Sequence, residues 1–199
     1  IQLSLITPLD GAYLGLISTK GPMVFRLIER EVGREKMLGA IASSIAAARS
    51  SGSLTADNLR AAISTAAGKD LEPLFRTWFD TAVLPDLIVG IPQQAGGSWT
   101  SAVRNLGSGD VVVDIVATTD SGKKLTVRVP VPSNGFGEAR YETSERISSV
   151  EIDPERIIPQ AGYANDARPP RPAAEDLFSE GVALVRQKDF AAAESKLRQ

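Results

Sequence analysis

The sequence predicts an α+β chain in several parts: a short all-α helical unit, a small antiparallel β-sandwich and a C-terminal helix pair. Three observations carry that prediction. Up to about Pro85 apolar residues recur at three- and four-residue spacing. From Asp86 to Ile152 they fall in short alternating runs separated by Gly- and Asn-containing turns. Beyond a proline-rich stretch the helical period returns. With 199 residues, 43% of them hydrophobic, the chain can bury a sizeable core. The divisions expected are 1–84, 85–160, a linker at 161–172, and 173–199.

Residues 1–19 are apolar, are punctuated by Pro8, Gly11 and Gly15, and have no clean period, so loop or short turns are expected there. From Gly21 to Val32, Met23, Val24, Leu27, Ile28 and Val32 make a helical stripe, and Gly33 is a natural stop. A second helix is expected over about Arg34–Arg49, burying Met37, Leu38, Ile41 and Ile45, with a turn at Ser50–Ser53. Thr55 can cap a third, flanked by Leu54 and Leu59 at staple spacing; Leu59, Ala62, Ile63 and Ala66 form its inner stripe and Gly68 ends it. Asp70 then caps a fourth, carrying Leu71, Leu74, Phe75, Trp78 and Phe79, and Pro85 prevents its continuation.

The strands follow the same logic with period two. Leu87, Val89 and Ile91 alternate, and Gly96-Gly97 turns the chain into Trp99, Ser101 and Val103. A Val/Ile-rich run from Asp110 to Ala117 is joined by the Asp120–Lys123 turn to Leu125, Val127, Val129 and Val131. Asn134-Gly135 marks another turn, before strands near Ala139–Thr143 and Ser149–Ile152. Six to seven short strands at such spacing predict a sandwich. Residues 161–172, with Asn165, Pro169, Pro170 and Pro172, read as linker. Ala174, Leu177, Phe178, Gly181 and Leu184 then recur helically, Lys188-Asp189 breaks the pattern, and a further helix runs over Ala191–Leu197.

Composition narrows the chemistry. A net charge of -2 argues against a nucleic-acid partner, and no apolar run reaches the roughly 18 residues of a membrane span. There is neither histidine nor cysteine, which removes disulfides, Ser-His-Asp and Cys-His arrangements, and the usual zinc ligands. No Asp-x-Asp-x-Asp-Gly run suggests calcium, so no metal is expected on this chain. The first residue is Ile1, so the natural N-terminus is expected upstream; nothing in this stretch speaks against export.

Ser18-Thr19-Lys20-Gly21, Val32-Gly33-Arg34-Glu35, Leu54–Leu59, Gly68-Lys69-Asp70-Leu71, Phe75, Trp78 and Pro85 occur in one order and spacing. Together, residues 18–85 resemble the M1 family of zinc metallopeptidases, the gluzincin aminopeptidases. There a Tyr-x-Lys-Gly motif opens a helix and a Gly-Lys-Asp-Leu…Phe…Trp…Pro segment closes the catalytic domain. The resemblance implies that residues 1–84 are the helical end of such a domain. The family's His-Glu-x-x-His zinc motif and its Gly-x-Met-Glu-Asn strand would both lie upstream of Ile1. It also places the family's oxyanion-stabilising tyrosine on Ser18, whose hydroxyl is shorter and less acidic than a phenol. Tyr13, five residues earlier, is either a substitute brought in by a shifted loop or a loop aromatic packed on the helices. No catalytic, cofactor-binding or metal-ligating residue is therefore assigned here. Zinc, a peptide substrate and the rest of the catalytic domain belong to the full-length protein that the resemblance implies.

Trp99-Thr100, Val103-Arg104-Asn105, Gly109, Val150–Pro154 and Tyr163–Asp166 resemble the small sandwich that follows the catalytic domain in many M1 proteins, which implies a buttressing role. Leu177, Gly181, Leu184, Ala193 and Leu197 resemble the opening of a tetratricopeptide repeat, although Glu180 stands where Leu is usual. About three such repeats are needed for stability, which implies an array and a protein partner; the alternative is a helix pair docked on the sandwich. Among the remaining candidates, Glu29 and Glu31 with Arg26, Arg30 and Arg34 read as a solvated charged face. Phe75, Trp78 and Phe79 read as core, Asp153-Pro154 as a strand-ending turn, and Arg168 and Arg171 as solvated linker charge or contacts for an acidic partner. Two functions are expected from this. One is the C-terminal part of an M1-type peptidase, inactive alone; the other is a non-catalytic peptidase-like scaffold that binds peptides or proteins.

Overall fold

A short helix, α1 (Tyr13–Ser18), occupies the end of the Gly-punctuated opening. The computed structural model describes residues 5–171 and 174–198, so Ile1, Pro172 and Gln199 lie outside the described residues. Helix α2 (Lys20–Val32) buries Val24, Leu27, Ile28 and Val32, the stripe its spacing predicts. It stops at Gly33, whose φ of 89° suits a residue without a Cβ. Helix α3 (Arg34–Ser51) follows, then α4 (Ala56–Ala67), where the Thr55 hydroxyl accepts the Asn58 amide at 3.2 Å as the cap predicts. Gly68 closes α4 in the left-handed conformation, its amide returning to Ser64 and Thr65. Helix α5 (Glu72–Phe75) continues into a π-helical turn over Arg76–Asp80, with the Asp70 carboxylate accepting the Glu72 amide at 2.8 Å.

One expectation fails on α3. Met37, Ala40 and Ser44 are its buried line, and Ile41 is half-buried. Leu38 and Ile45 are 53% and 44% exposed. At 100° per residue these two sit about a third of a turn round from the buried line.

The strands are β1 (Leu87–Val89), β2 (Gln93–Ala95), β3 (Ser98–Asn105), β4 (Val111–Thr119), β5 (Lys124–Val131), β6 (Phe136–Tyr141), β7 (Ile147–Ile152) and β8 (Ala167–Arg168). In one sheet β3 pairs with β6 along one edge, and with β1 and β2 along the other; the second has the order β5-β4-β7-β8. All pairings are antiparallel. Strict alternation puts Val111, Val113, Ile115 and Ala117 of β4 inside. Strand β8 lies in the stretch that reads as linker: Ala167 faces Glu151, and Arg168 faces Val150. Residues up to Arg168 therefore belong to the sandwich.

The two parts share one core. Val24, Ile28, Phe75 and Trp78 of the helices join Val113, Val129, Ile152 and Ile158 of the sandwich in one buried apolar cluster. The crossover is tight: a Cβ on Gly107 would lie 2.2 Å from the Leu84 carbonyl oxygen. Helices α6 (Ala174–Arg186) and α7 (Phe190–Leu197) pack on each other, with Gly181 against the Leu197 side chain and Ala193 buried. Among the described residues no helix is long and apolar enough to cross a membrane.

Candidate functional site

The charged stripe of α2 is not a solvated face. Two of its members turn onto the sandwich. Glu31 accepts from Arg128 of β5 at 2.7 Å and from Lys69, at the turn before α5, at 3.0 Å. Arg30 reaches Asp114 of β4 at 3.5 Å, and its Nε is buried with no hydrogen-bond partner among the described residues. Burial pushes the Glu31 carboxyl up, but Arg128 and Lys69 outweigh it and hold the group below the usual carboxylate range. Arg26 donates to the Glu155 carbonyl at 3.3 Å but is exposed, and Arg34, paired with Glu29 at 3.2 Å, also stays largely in solvent. These groups do not share one face: Glu29 and Glu31 are two residues apart on the helix, and Arg30 and Glu31 meet the sandwich while Arg26 and Arg34 stay in solvent.

Above the seam, α2, α5 and the second sheet enclose a cleft of 350 Å³, lined by Leu27, Arg30, Glu31, Trp78, Val111 and Arg128 among others. Of its charged groups, Glu31 pairs with Arg128, Arg30 with Asp114 and Asp110 accepts the Ser133 amide, and the Thr77 hydroxyl on its wall donates to the Pro73 carbonyl at 2.9 Å. The cleft can cradle a segment of chain or small ligand, but it aligns no nucleophile with a base. Phe75 and Trp78 are buried core residues, as their spacing predicts.

Ser18 and Tyr13 are elsewhere, at opposite ends of α1. The Ser18 hydroxyl is exposed and donates to the Leu14 carbonyl of its own helix at 2.6 Å. Tyr13 is half-buried. Neither lines the cleft. Next to Ser18, Gly21 lets α2 start close beneath α1: a Cβ there would meet the Leu16 carbonyl oxygen at 3.3 Å. Desolvation pulls the half-buried Lys20 ammonium below its usual range. The chain has neither His nor Cys, and the described residues gather no group of three or more carboxylates, so they do not fit a zinc site.

A second polar cluster escaped sequence reading because its members are far apart in the chain. The Gln160 side chain accepts the Leu87 amide at 3.1 Å and donates to the Asp166 carboxyl at 2.8 Å. Nearby, Asp153 has a φ of 44° and its carboxylate accepts the Ile158 amide at 2.6 Å. It thus makes the predicted turn and also organises the loop that follows. Arg168 donates to the Asn165 and Ala167 carbonyls, and Arg171 pairs with Glu151, so both expected linker charges lie against the sandwich.

Among solved structures, this architecture is similar to the crystal structure of Legionella pneumophila aminopeptidase A in complex with aspartic acid. The match has a TM-score of 0.52 and 15% identity over 80% of this chain. The fold is peptidase-like. The chain spans 18% of the length of that aminopeptidase chain. No family model matches the sequence, and no curated protein matches it.

Proposed function

We propose that this chain is the C-terminal part of an M1-type zinc metallopeptidase. Residues 1–84 would complete its catalytic lobe, and the sandwich would brace that lobe through the Glu31 seam. The likeness to an aminopeptidase over 80% of the chain carries this reading, and the ordered motifs from Ser18 to Pro85 support it. In the full-length protein, residues outside this chain hold the zinc that activates the attacking water. Leu14 and Ile17 of α1 and Leu38 and Ile45 of α3 are exposed apolar side chains that the rest of the lobe would cover.

The test is zinc content and release of amino acids from chromogenic amides, measured on the full-length protein beside this segment. Zinc and chelator-sensitive turnover in the full-length protein alone support the reading. A full-length protein without a zinc motif or turnover overturns it. One observation favours a second reading, a peptidase-like scaffold that binds peptides or proteins, with a repeat array at α6 and α7. The Ser18 hydroxyl is held within its own helix, so the family's phenol donor has no equivalent at that position.

A further inference from the structure

Asp166 is 6% exposed and stands immediately before β8. One carboxyl oxygen takes the Gln160 amide; the other is buried with no hydrogen-bond partner among the described residues. Among the described residues no cation is hydrogen-bonded to it. Arg168 is turned onto backbone carbonyls, and Arg156 stacks over the Tyr163 ring at 5.3 Å. The groups facing the carboxyl are Asp153 at the end of β7, Asp86 at the head of β1, and Arg156 of the loop between them, with Tyr163 close by. Arg30 of α2 and Asp114 of β4 act on Asp153 instead. Two carboxylates against one displaced guanidinium make this a poor place for a third negative charge, and burial raises its cost further. Burial, followed by repulsion from Asp153, accordingly pushes Asp166 up to about 7.

The cheapest relief is to open the segment that carries the charge. Strand β8 is held by two residue pairs, with the Ile152 amide donating to the Asp166 carbonyl at 2.8 Å, the Val89 amide to the Asn165 carbonyl at 3.5 Å, and Arg171 paired with Glu151 just beyond it. It leads directly into the C-terminal helix pair. We propose that residues 163–168 form a proton-held latch: with the Asp166 carboxyl protonated, β8 stays docked on β7, and its ionisation releases β8 from β7.

The test is amide hydrogen exchange on the intact chain at pH 5.5 and pH 8.5, with rates divided by their intrinsic values at each pH. Protection of the Ile152 amide should fall about tenfold or more at the higher pH, while Val113 and Ile115 in the β4–β5 ladder keep theirs. Asp166→Asn should abolish the difference. Equal Ile152 protection at both pH values overturns the proposal, as does the same fall in Asp166→Asn. Should that variant not fold, the 13C titration of the wild-type Asp166 carboxyl decides: a midpoint near the ordinary aspartate value overturns the latch.

Discussion

The Glu31 carboxylate on α2 accepts a hydrogen bond from Arg128 on β5 at 2.7 Å, while its other oxygen takes Lys69 at 3.0 Å. One side chain thus ties the helical unit to the sandwich and to the turn that leads into α5. The pair is partly exposed, Arg128 more so than Glu31, so solvent screens it. Glu31→Gln is expected to lower unfolding free energy by about 1 kcal/mol. Urea melts of Glu31→Gln, Arg128→Met and the double variant would give a coupling energy; a value of zero would mean the apolar core alone joins the two parts.

Arg60 is better placed. It makes two bonds to Asp80, at 2.9 and 2.7 Å, and its guanidinium lies 5.4 Å from the Phe75 ring centre and 5.5 Å from that of Phe79. Arg60→Ala should cost about 2 kcal/mol, through lost packing as well as lost charge. Arg60→Lys should recover less than half of that, because an ammonium cannot fork onto both oxygens. Denaturation midpoints of the two variants test the order.

Gly107 faces the chain where helices give way to strands, where a Cβ would lie 2.2 Å from the Leu84 oxygen and 2.7 Å from the Asp86 nitrogen. Both are backbone atoms already engaged, the Leu84 oxygen accepting the Ser108 amide and the Asp86 nitrogen donating to Asn105 Oδ1 at 3.1 Å, so a shift of either breaks a hydrogen bond. Gly107→Ala is expected to cost about 3 kcal/mol. Gly122→Ala, with a φ of 83° and open space around it, should cost about 1 kcal/mol. Thermal melts showing the two equal would remove the crossover as a site of tight packing.

Asp166 sets a pH dependence with a definite sign. Its folded pKa is raised to about 7 from 3.8, so between those values the folded state binds a proton that the unfolded chain has lost. Stability from this group is fully present below pH 3.8 and is lost as pH rises through 7. The upper bound is about 4 kcal/mol at 1.36 kcal/mol per unit, with local opening of β8 reducing what a global melt reads. Urea midpoints should fall between pH 5.5 and 8.5 in the wild type and change less in Asp166→Asn.

The local signals were legible because their causes are local. Gly33, Thr55 and Gly68 bound helices where their backbone or hydroxyl requires it, and alternation put Val113 and Ile115 inside β4. The buried aromatic pair of Phe75 and Trp78 follows from helical spacing alone. Strands β2 and β8, of three and two residues, carry no period and exist only because a longer neighbour offers them a register. The π-helical turn at Arg76–Asp80 has no sequence cue of its own.

By itself, then, the sequence located the principal helices and strands, although β6 runs over Phe136–Tyr141 where a strand near Ala139–Thr143 is expected and β1 ends at Val89 with Ile91 exposed, and it withheld the His and Cys side chains that zinc favours. Only tertiary structure decided what those elements face. Spacing can put Glu31 on a face but cannot name Arg128, 97 residues away, as its partner. Nor can it show that Asp166 is buried beside Gln160 and Asp153. Period is a property of one element, whereas burial, pairing and proton affinity belong to the surfaces that two elements share.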